Sequence, residues 1–342
     1  MHRGKREIIN ENIQKKGALY LTEGGEMRDD LINIYKDAPA IFETIREEIG
    51  KVVVGQKAVV EQILVGILAG GHILLESNPG LGKTLLVKTI ASTTGLHFSR
   101  IQCTPDLMPA DITGTTLIEE VEGSKHFRFE EGPIFANIVL ADEINRASPR
   151  TQSAMLEAMQ EKQVTVGKNT YRLEEPFFVL ATQNPIEMEG TFPLPEAQLD
   201  RFLLKVFIDY PSPEEEYQIM ERYTGHAEPK VERVITRREL LSLQQLVRDV
   251  PISDDLKRAA IKAVVSSRSW EGVEYGASPR ASIGLILASK ARALLSGRDY
   301  VDRADLEVMA RPIFRHRIIL TFDSERRGVT TDQVISEIMK AI

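Results

Sequence analysis

The run Glu76-Ser77-Asn78-Pro79-Gly80-Leu81-Gly82-Lys83-Thr84 directly follows a short apolar stretch and opens a helical pattern. Glycines followed by Lys and Thr at a strand-to-helix junction make a loop whose backbone N–H groups wrap phosphate oxygens. The helix N-terminus adds a favourable partial charge. There Lys83 reaches β- and γ-phosphates, and the Thr84 hydroxyl ligates Mg²⁺. The strict pattern has Gly where this chain has Ser77; were a positive φ needed there, Ser would cost about 1 kcal/mol or somewhat more.

A second apolar run, Ile138-Val139-Leu140-Ala141, ends in the carboxylates Asp142 and Glu143. In a parallel sheet the ligand crevice lies beyond the carboxyl ends of the strands. Asp142 would emerge beside the Mg²⁺ and hold it, and Glu143 would polarise an attacking water; a solvated acidic loop is the plainer alternative. Phe177 to Asn184 is another such run, and its Asn184 would hydrogen-bond a terminal phosphate or the water, or merely cap the turn before Pro185. Arg201 precedes the last apolar run. Arg280 follows Ser278, an expected N-cap, and Pro279, an expected first helical residue. A cation at a helix N-terminus opposes the dipole by about 0.3–1 kcal/mol, a cost that a bound anion reverses, so Arg280 is a candidate phosphate ligand; a salt bridge is the alternative.

These residues need strands to carry them. Strand-type runs recur at 72–77, 97–103, 136–143, 177–184 and 201–208, with helical segments between most of them, notably 83–94 and 151–160. That alternation indicates a parallel sheet covered on both faces. Residues 113–129 and 164–173 read as β-hairpins, the second turning at Gly167-Lys168-Asn169. Upstream, helices are expected from Ala38 to Gly50 and from Ala58 to Leu68, with residues 1–37 a mobile tail containing at most a short helix at 29–35. After Pro211 and Pro213 the pattern is helical throughout: 214–224, 238–247, 254–267, 279–295, 303–311 and 331–342. The expected organisation is a tail (1–37), an α/β nucleotide-binding core (38–210) and a small all-helical domain (211–342).

Composition narrows the class. With 43 Lys and Arg against 50 Asp and Glu, the 342-residue chain carries a net charge of −7, which argues against a global nucleic-acid footprint. The longest apolar run, Ile63 to Leu75, falls short of the about 18 residues a bilayer span requires. Cys103 alone excludes an internal disulfide and reads as a buried apolar residue; with no secretory pattern at the start, the cytoplasm is the expected location. His316-Arg317 lacks metal partners at suitable spacing and reads as structural. Trp270 is expected between the domains, and Arg146 and Arg150 reach a neighbouring copy or stay solvated.

Four segments together resemble the MoxR family of AAA+ ATPases: GLGKT (80–84), LADEINRASPRTQSAMLEAMQE (140–161), LATQNPIEMEGTFPLPEAQLDRF (180–202) and GASPRAS (276–282). The resemblance runs from about residue 38 to the end. It implies a P-loop NTPase sheet of order 5-1-4-3-2 with hairpin insertions, an all-α lid, a ring that is usually a hexamer, and ATP with Mg²⁺. It also implies that Lys83 and Thr84 are Walker A, that Asp142 and Glu143 are Walker B, and that Asn184 is sensor 1. Arg280 would be sensor 2, on the lid over its own nucleotide, and Arg201 the arginine finger acting on the neighbour's ATP. Nucleotide contacts are implied for Val54, Gly55, Asn78, Pro79, Gly80, Leu81, Gly82, Lys83, Thr84, Leu85 and Arg280, and metal contacts for Thr84 and Asp142. Residues 113–129 are similar to the helix-2 insert, and 164–173 to the hairpin before sensor 1. The implied function is chaperone-like remodelling or maturation of partner proteins, including cofactor or metal insertion, with a von Willebrand factor A domain partner. Rival readings are a magnesium-chelatase-like motor, a nucleotide-gated scaffold and a nucleic-acid motor.

Overall fold

The computed structural model describes residues 26–121, 124–184, 190–225 and 229–342. Helix α1 (Glu26–Val52) begins twelve residues before the start read from the apolar stripe, because that stripe, Ala38, Phe42, Ile45, Ile49 and Val52, is confined to its buried second half. Once packing nucleates a helix, each added turn is cheap, so α1 extends towards its amino terminus beyond that stripe. Nor does Gly50 end the helix. The left-handed turn comes later, at Gly55 (φ 66°) and Gln56 (φ 51°), ahead of α2 (Lys57–Ala69), which closes at Gly70 (φ 68°). The remainder of the expected tail, residues 1–25, lies outside the described residues.

Five strands form the central sheet: β1 (Ile73–Ser77), β2 (Phe98–Gln102), β5 (Ile138–Asp142), β8 (Phe178–Gln183) and β9 (Leu204–Ile208). All pairings are parallel and the spatial order is β2-β5-β8-β1-β9, which in chain order is the expected 5-1-4-3-2. The strands are apolar on both sides because both faces are covered. Ile73, Leu75, Leu140, Leu180 and Val206 join an apolar cluster with α1, α2 and the C-terminal helices. Leu74, Val139, Ala141 and Val179, one position out of phase, pack with Met155, Leu156 and Met159 of the helix Pro149–Glu161 on the other face. That is the period-2 alternation of a strand.

Helix α3 (Lys83–Thr94) follows β1, and the short α4 (Pro109–Thr113) leads into the first hairpin, β3 (Gly114–Val121) with β4 (Ser124–Glu131). The Pro149–Glu161 helix, α5, leads into the second, β6 (Gln163–Val166) with β7 (Asn169–Arg172). Its two-residue turn is Gly167-Lys168, with Gly167 at φ 64°. Phe129 of the first hairpin stacks on Tyr171 of the second at 4.0 Å. A short α6 (Glu196–Leu199) precedes β9.

Beyond β9 come α7 (Pro213–Thr224), α8 (Arg237–Asp249), α9 (Asp254–Ser267), α10 (Pro279–Leu295), α11 (Arg303–Phe314), α12 (Phe322–Arg326) and α13 (Thr331–Lys340). Helices α8 and α10 lie on α1 and α2, and α11 lies against β9. The apolar cluster passes from Ile63 and Val206 to Leu285 and Ile313 without a break, and Trp270 packs half-buried against it. A two-strand ladder, β10 (Val273–Tyr275) with β11 (Ile319–Leu320), interrupts what the sequence reads as helix alone. Strands of three and two residues are too short to show a period. Among the described residues no helix is long and apolar enough to cross a membrane.

The amino-terminal edge of the sheet is pinned by a buried histidine. His72 accepts the Val179 N–H through Nδ1 (3.0 Å) and donates Nε2–H to the Met159 carbonyl (3.0 Å). Burial pushes its pKa down to about 4, against the pull of the Met159 carbonyl. The unfolded chain binds this proton near pH 6.5, so stability is complete above that value and falls as the pH drops towards 4, by roughly 3 kcal/mol in all. Burial moves His316 in the same direction. Urea midpoints measured between pH 8 and 5 should therefore fall more steeply for the native chain than for His72→Gln.

Candidate functional site

Strand register brings the sequence-predicted groups into one row. Glu76 pairs with Gln183, so Asn184 follows level with Ser77. Ala141 pairs with Ala181, which sets Asp142 level with Thr182. The carboxyl ends of β1, β8 and β5 thus present Ser77, Asn184 and the Asp142-Glu143 pair side by side, next to the loop 78–82 that leads into α3. Gly80 (φ 82°) and Gly82 (φ 73°) take left-handed conformations that glycine adopts without penalty. No atom lies within 4 Å of a Cβ built on either, so the loop is an open cradle. Ser77 is different: it is a buried residue completing β1, paired with Ile208, and its φ is not positive. The left-handed penalty considered for serine does not arise. Lys83 Nζ lies 3.5 Å from the Ser77 carbonyl, a loose contact that leaves its ammonium beside the loop.

One hydroxyl holds the Asp142 carboxylate and the Glu143 backbone. Thr182 on β8 donates to Asp142 Oδ1 at 2.6 Å and accepts the Glu143 N–H at 2.8 Å. Arg100 on β2 donates to Asp142 Oδ2 through Nη2 (2.7 Å) and Nε (3.2 Å). Glu143 has φ 57°, costly for a non-glycine residue. Its Oε2 accepts from Gln102 Nε2 (3.1 Å) and Arg146 Nη1 (3.0 Å). Arg146, left between two readings, is thus an ion-pair partner of Glu143. The sequence reading missed Thr182, Arg100 and Gln102. A buried hydroxyl two residues before Asn184, and polar residues alternating in Phe98–Gln102, were the available signals. Cys103 is buried beside this row. Burial first, then the charges of Asp142 and Glu143, raise its thiol to about 12, so it is inert.

Gln56, next in the chain after Val54 and Gly55, reaches the loop from the other side. Gln56 donates Nε2–H to the Leu81 carbonyl at 3.3 Å, while its buried Oε1 has no protein partner. Glu215 of α7 closes over Gly55, where a Cβ would fall 2.1 Å from its Oε1. Leu85 is exposed on the first turn of α3. An open, glycine-lined cradle with Lys83 at its base and an orphaned buried acceptor alongside fits a nucleotide. Asp142 and Thr84 fit Mg²⁺, an ion held through one or two carboxylates with phosphate oxygens and waters completing its shell. Among the described residues no three His, Cys, Asp or Glu side chains gather to hold an ion unaided.

Arg201 and Arg280 lie elsewhere. Leu203 N–H donates to the His72 carbonyl and Leu204 pairs with Ile73, so Arg201 sits at the amino-terminal edge of the sheet, and Ser77 closes the carboxyl end. The strand between them is about 13 Å long. Arg201 donates Nη1–H to the Leu156 carbonyl at 2.9 Å and lines a shallow cleft with Glu157, Glu161 and Gln198. Ser278 caps α10 and Pro279 begins it, as expected. Arg280, 53% exposed, has Nη1 3.8 Å from Asp200 Oδ2, the neighbour of Arg201. Ser278 of the same turn bonds the Asp200 carboxylate as well, so the first turn of α10 places Arg280 beside the segment that carries Arg201.

A family model for ATPases associated with various cellular activities matches residues 72–204, and an AAA lid-domain model matches residues 265–338. The parallel sheet, its strand order and the helical lid are those of an AAA+ P-loop module. A crystal structure from Cytophaga hutchinsonii, described as that of a candidate ATPase, superposes with a TM-score of 0.85 at 42% identity, over 93% of this chain and 99% of that one. Chaperone MoxR1 of Mycobacterium tuberculosis is 44% identical over 306 residues, covering 86% of this chain and 80% of that protein. Protein MoxR of Paracoccus denitrificans is 30% identical over 83% of this chain and 90% of its own length. The chain belongs to the MoxR family of AAA+ ATPases.

Proposed function

We propose that the chain hydrolyses ATP at seams between identical copies in a ring, six by family resemblance, and uses the cycle to remodel partner proteins. One observation carries the seam. The phosphate loop stands at the opposite end of the β1–β9 pair from Arg201 and Arg280, and the arginines at the loop's own end, Arg100 and Arg146, are bound to Asp142 and Glu143, which favours a next copy as the source of charge for the transferred phosphoryl. The loop N–H groups and Lys83 hold the β- and γ-phosphates, and the amide of Asn184 orients the terminal phosphoryl or the water. The Glu143 carboxylate accepts a proton from the attacking water. Arg201 and Arg280 of the next copy stabilise charge on the transferred group. Mg²⁺ held by Thr84 and Asp142 supplies charge neutralisation across the phosphate oxygens.

A client protein, presented with a von Willebrand factor A domain partner, is the proposed substrate of the mechanical cycle. Support comes from the resemblance and from a relative named as a chaperone; the net charge of −7 disfavours nucleic acid. The deciding measurement is phosphate release per chain against protein concentration, with particle mass recorded in the same samples. Turnover should collapse on dilution as the assembly dissociates. It should also stop on chelation and return with added Mg²⁺. Full activity in a strictly monomeric sample would overturn the proposal.

A further inference from the structure

Arg317, just past α11, is a buried cation, its side chain 3% exposed. It uses all five of its N–H donors. Nε donates to Asp200 Oδ1 (2.7 Å); Nη1 donates to the carbonyls of Leu203 (3.1 Å) and Ile313 (2.5 Å); Nη2 donates to those of Asp200 (3.2 Å) and Phe202 (2.5 Å). Four of the five bonds fall on residues 200–203, the segment that contains Arg201. His316 donates a further bond to the Phe202 carbonyl at 2.9 Å. The same Asp200 carboxylate accepts from Ser278 Oγ at 2.9 Å and faces Arg280. One knot therefore joins the loop bearing Arg201 to the first turn of α10 bearing Arg280.

Burying an ion pair seldom improves stability over apolar packing, so a fully satisfied fork at this depth points to geometry rather than adhesion. We propose that Arg317 is the positioning residue that sets Arg201 and Arg280 as one rigid unit aimed at the next copy's phosphates. The proposal rests on the seam reading above. Lysine at 317 keeps the charge and can still reach Asp200. It lacks the planar five-donor fork and cannot hold the carbonyls of 200–203 together.

The test is Arg317→Lys, assembled and assayed alone and mixed with Glu143→Gln. Alone, kcat should fall about 10²-fold, the scale of a 1 Å misplacement, with KM for ATP within about twofold of native and ring mass unchanged. Mixed, turnover should return, because the Lys variant keeps an intact phosphate loop and the Glu143→Gln copy supplies a correctly held Arg201. A merely structural role would not give that rescue. A native rate in the variant ring overturns the proposal. So does a loss that Glu143→Gln does not rescue while Arg201→Ala is rescued. If Arg201→Ala is not rescued either, the seam reading itself has failed. Should Arg317→Lys not fold, Asp200→Asn carries the same test, with about a tenfold fall and the same rescue.

Discussion

Arg201→Ala is expected to lower turnover by about 10³–10⁵-fold, the range an arginine finger supplies, while ATP affinity stays near native. The second half of that statement follows from the register. With Leu204 beside Ile73 and Ser77 beside Ile208, the Arg201 side chain is at the far edge of the sheet from its own phosphate loop and adds nothing to its own bound nucleotide. Each Arg201→Ala copy keeps a complete loop, Asp142 and Glu143, and lacks only what it gives to the next copy. Each Glu143→Gln copy has the reverse defect. Mixed in one assembly, the two variants create some seams in which a whole loop meets a whole arginine, and phosphate release should reappear. Arg280→Ala should behave identically in the mix, because Arg280 faces Asp200, the residue that precedes Arg201. A lid arginine acting on its own nucleotide would show no rescue. Nucleotide binding by fluorescence and phosphate release on the same mixtures decide between these. A mixture that binds ATP, assembles and stays inactive would refute the shared site.

What could be read in advance divides along a physical line. The phosphate loop was legible because its chemistry is contiguous: a buried strand, glycines that allow a left-handed turn, then Lys83 and Thr84 on the first helical turn. The Asp142-Glu143 pair was legible for the same reason, as an apolar run ending in polar groups, whereas the strand order came only from the family resemblance. Contacts that exist only across strands were not. Thr182 bridges the Asp142 carboxylate and the Glu143 N–H because β8 pairs in parallel with β5 in one register, and that register is set by packing on both faces rather than by any local pattern. The side on which Arg280 stands was likewise hidden. Ser278-Pro279 announces a helix start but is silent on where α10 docks, and that depends on the apolar contacts of Leu285 and Ile313 with α2 and β9. The worry over Ser77 dissolved because a backbone angle is not a property of residue type. Arg317 was read as structural, which its burial supports, but its five bonds show which segment it holds.

Glu143→Gln should bind ATP at least as tightly as the native chain and release phosphate about 10²–10⁴-fold more slowly, the usual contribution of a positioned base. The substitution is well matched to the site. Glu143 keeps its left-handed backbone through the N–H bond to Thr182, which the variant retains, and a glutamine amide occupies the same space as the carboxyl group. What is lost is an acceptor-only group that can take a proton from water. The bonds from Gln102 and Arg146 can still find the amide oxygen, so the loop should not collapse. Asp142→Asn makes the contrasting case. It disturbs the Arg100 pair and the Thr182 bond together, and it removes the proposed metal carboxylate, so nucleotide affinity in Mg²⁺ should fall along with turnover. Retention of labelled ATP after gel filtration separates the two: Glu143→Gln should hold it unhydrolysed on the assembled protein, and Asp142→Asn should let it go. Native turnover in Glu143→Gln would remove Glu143 from the role of base and leave water activation to another group in the row.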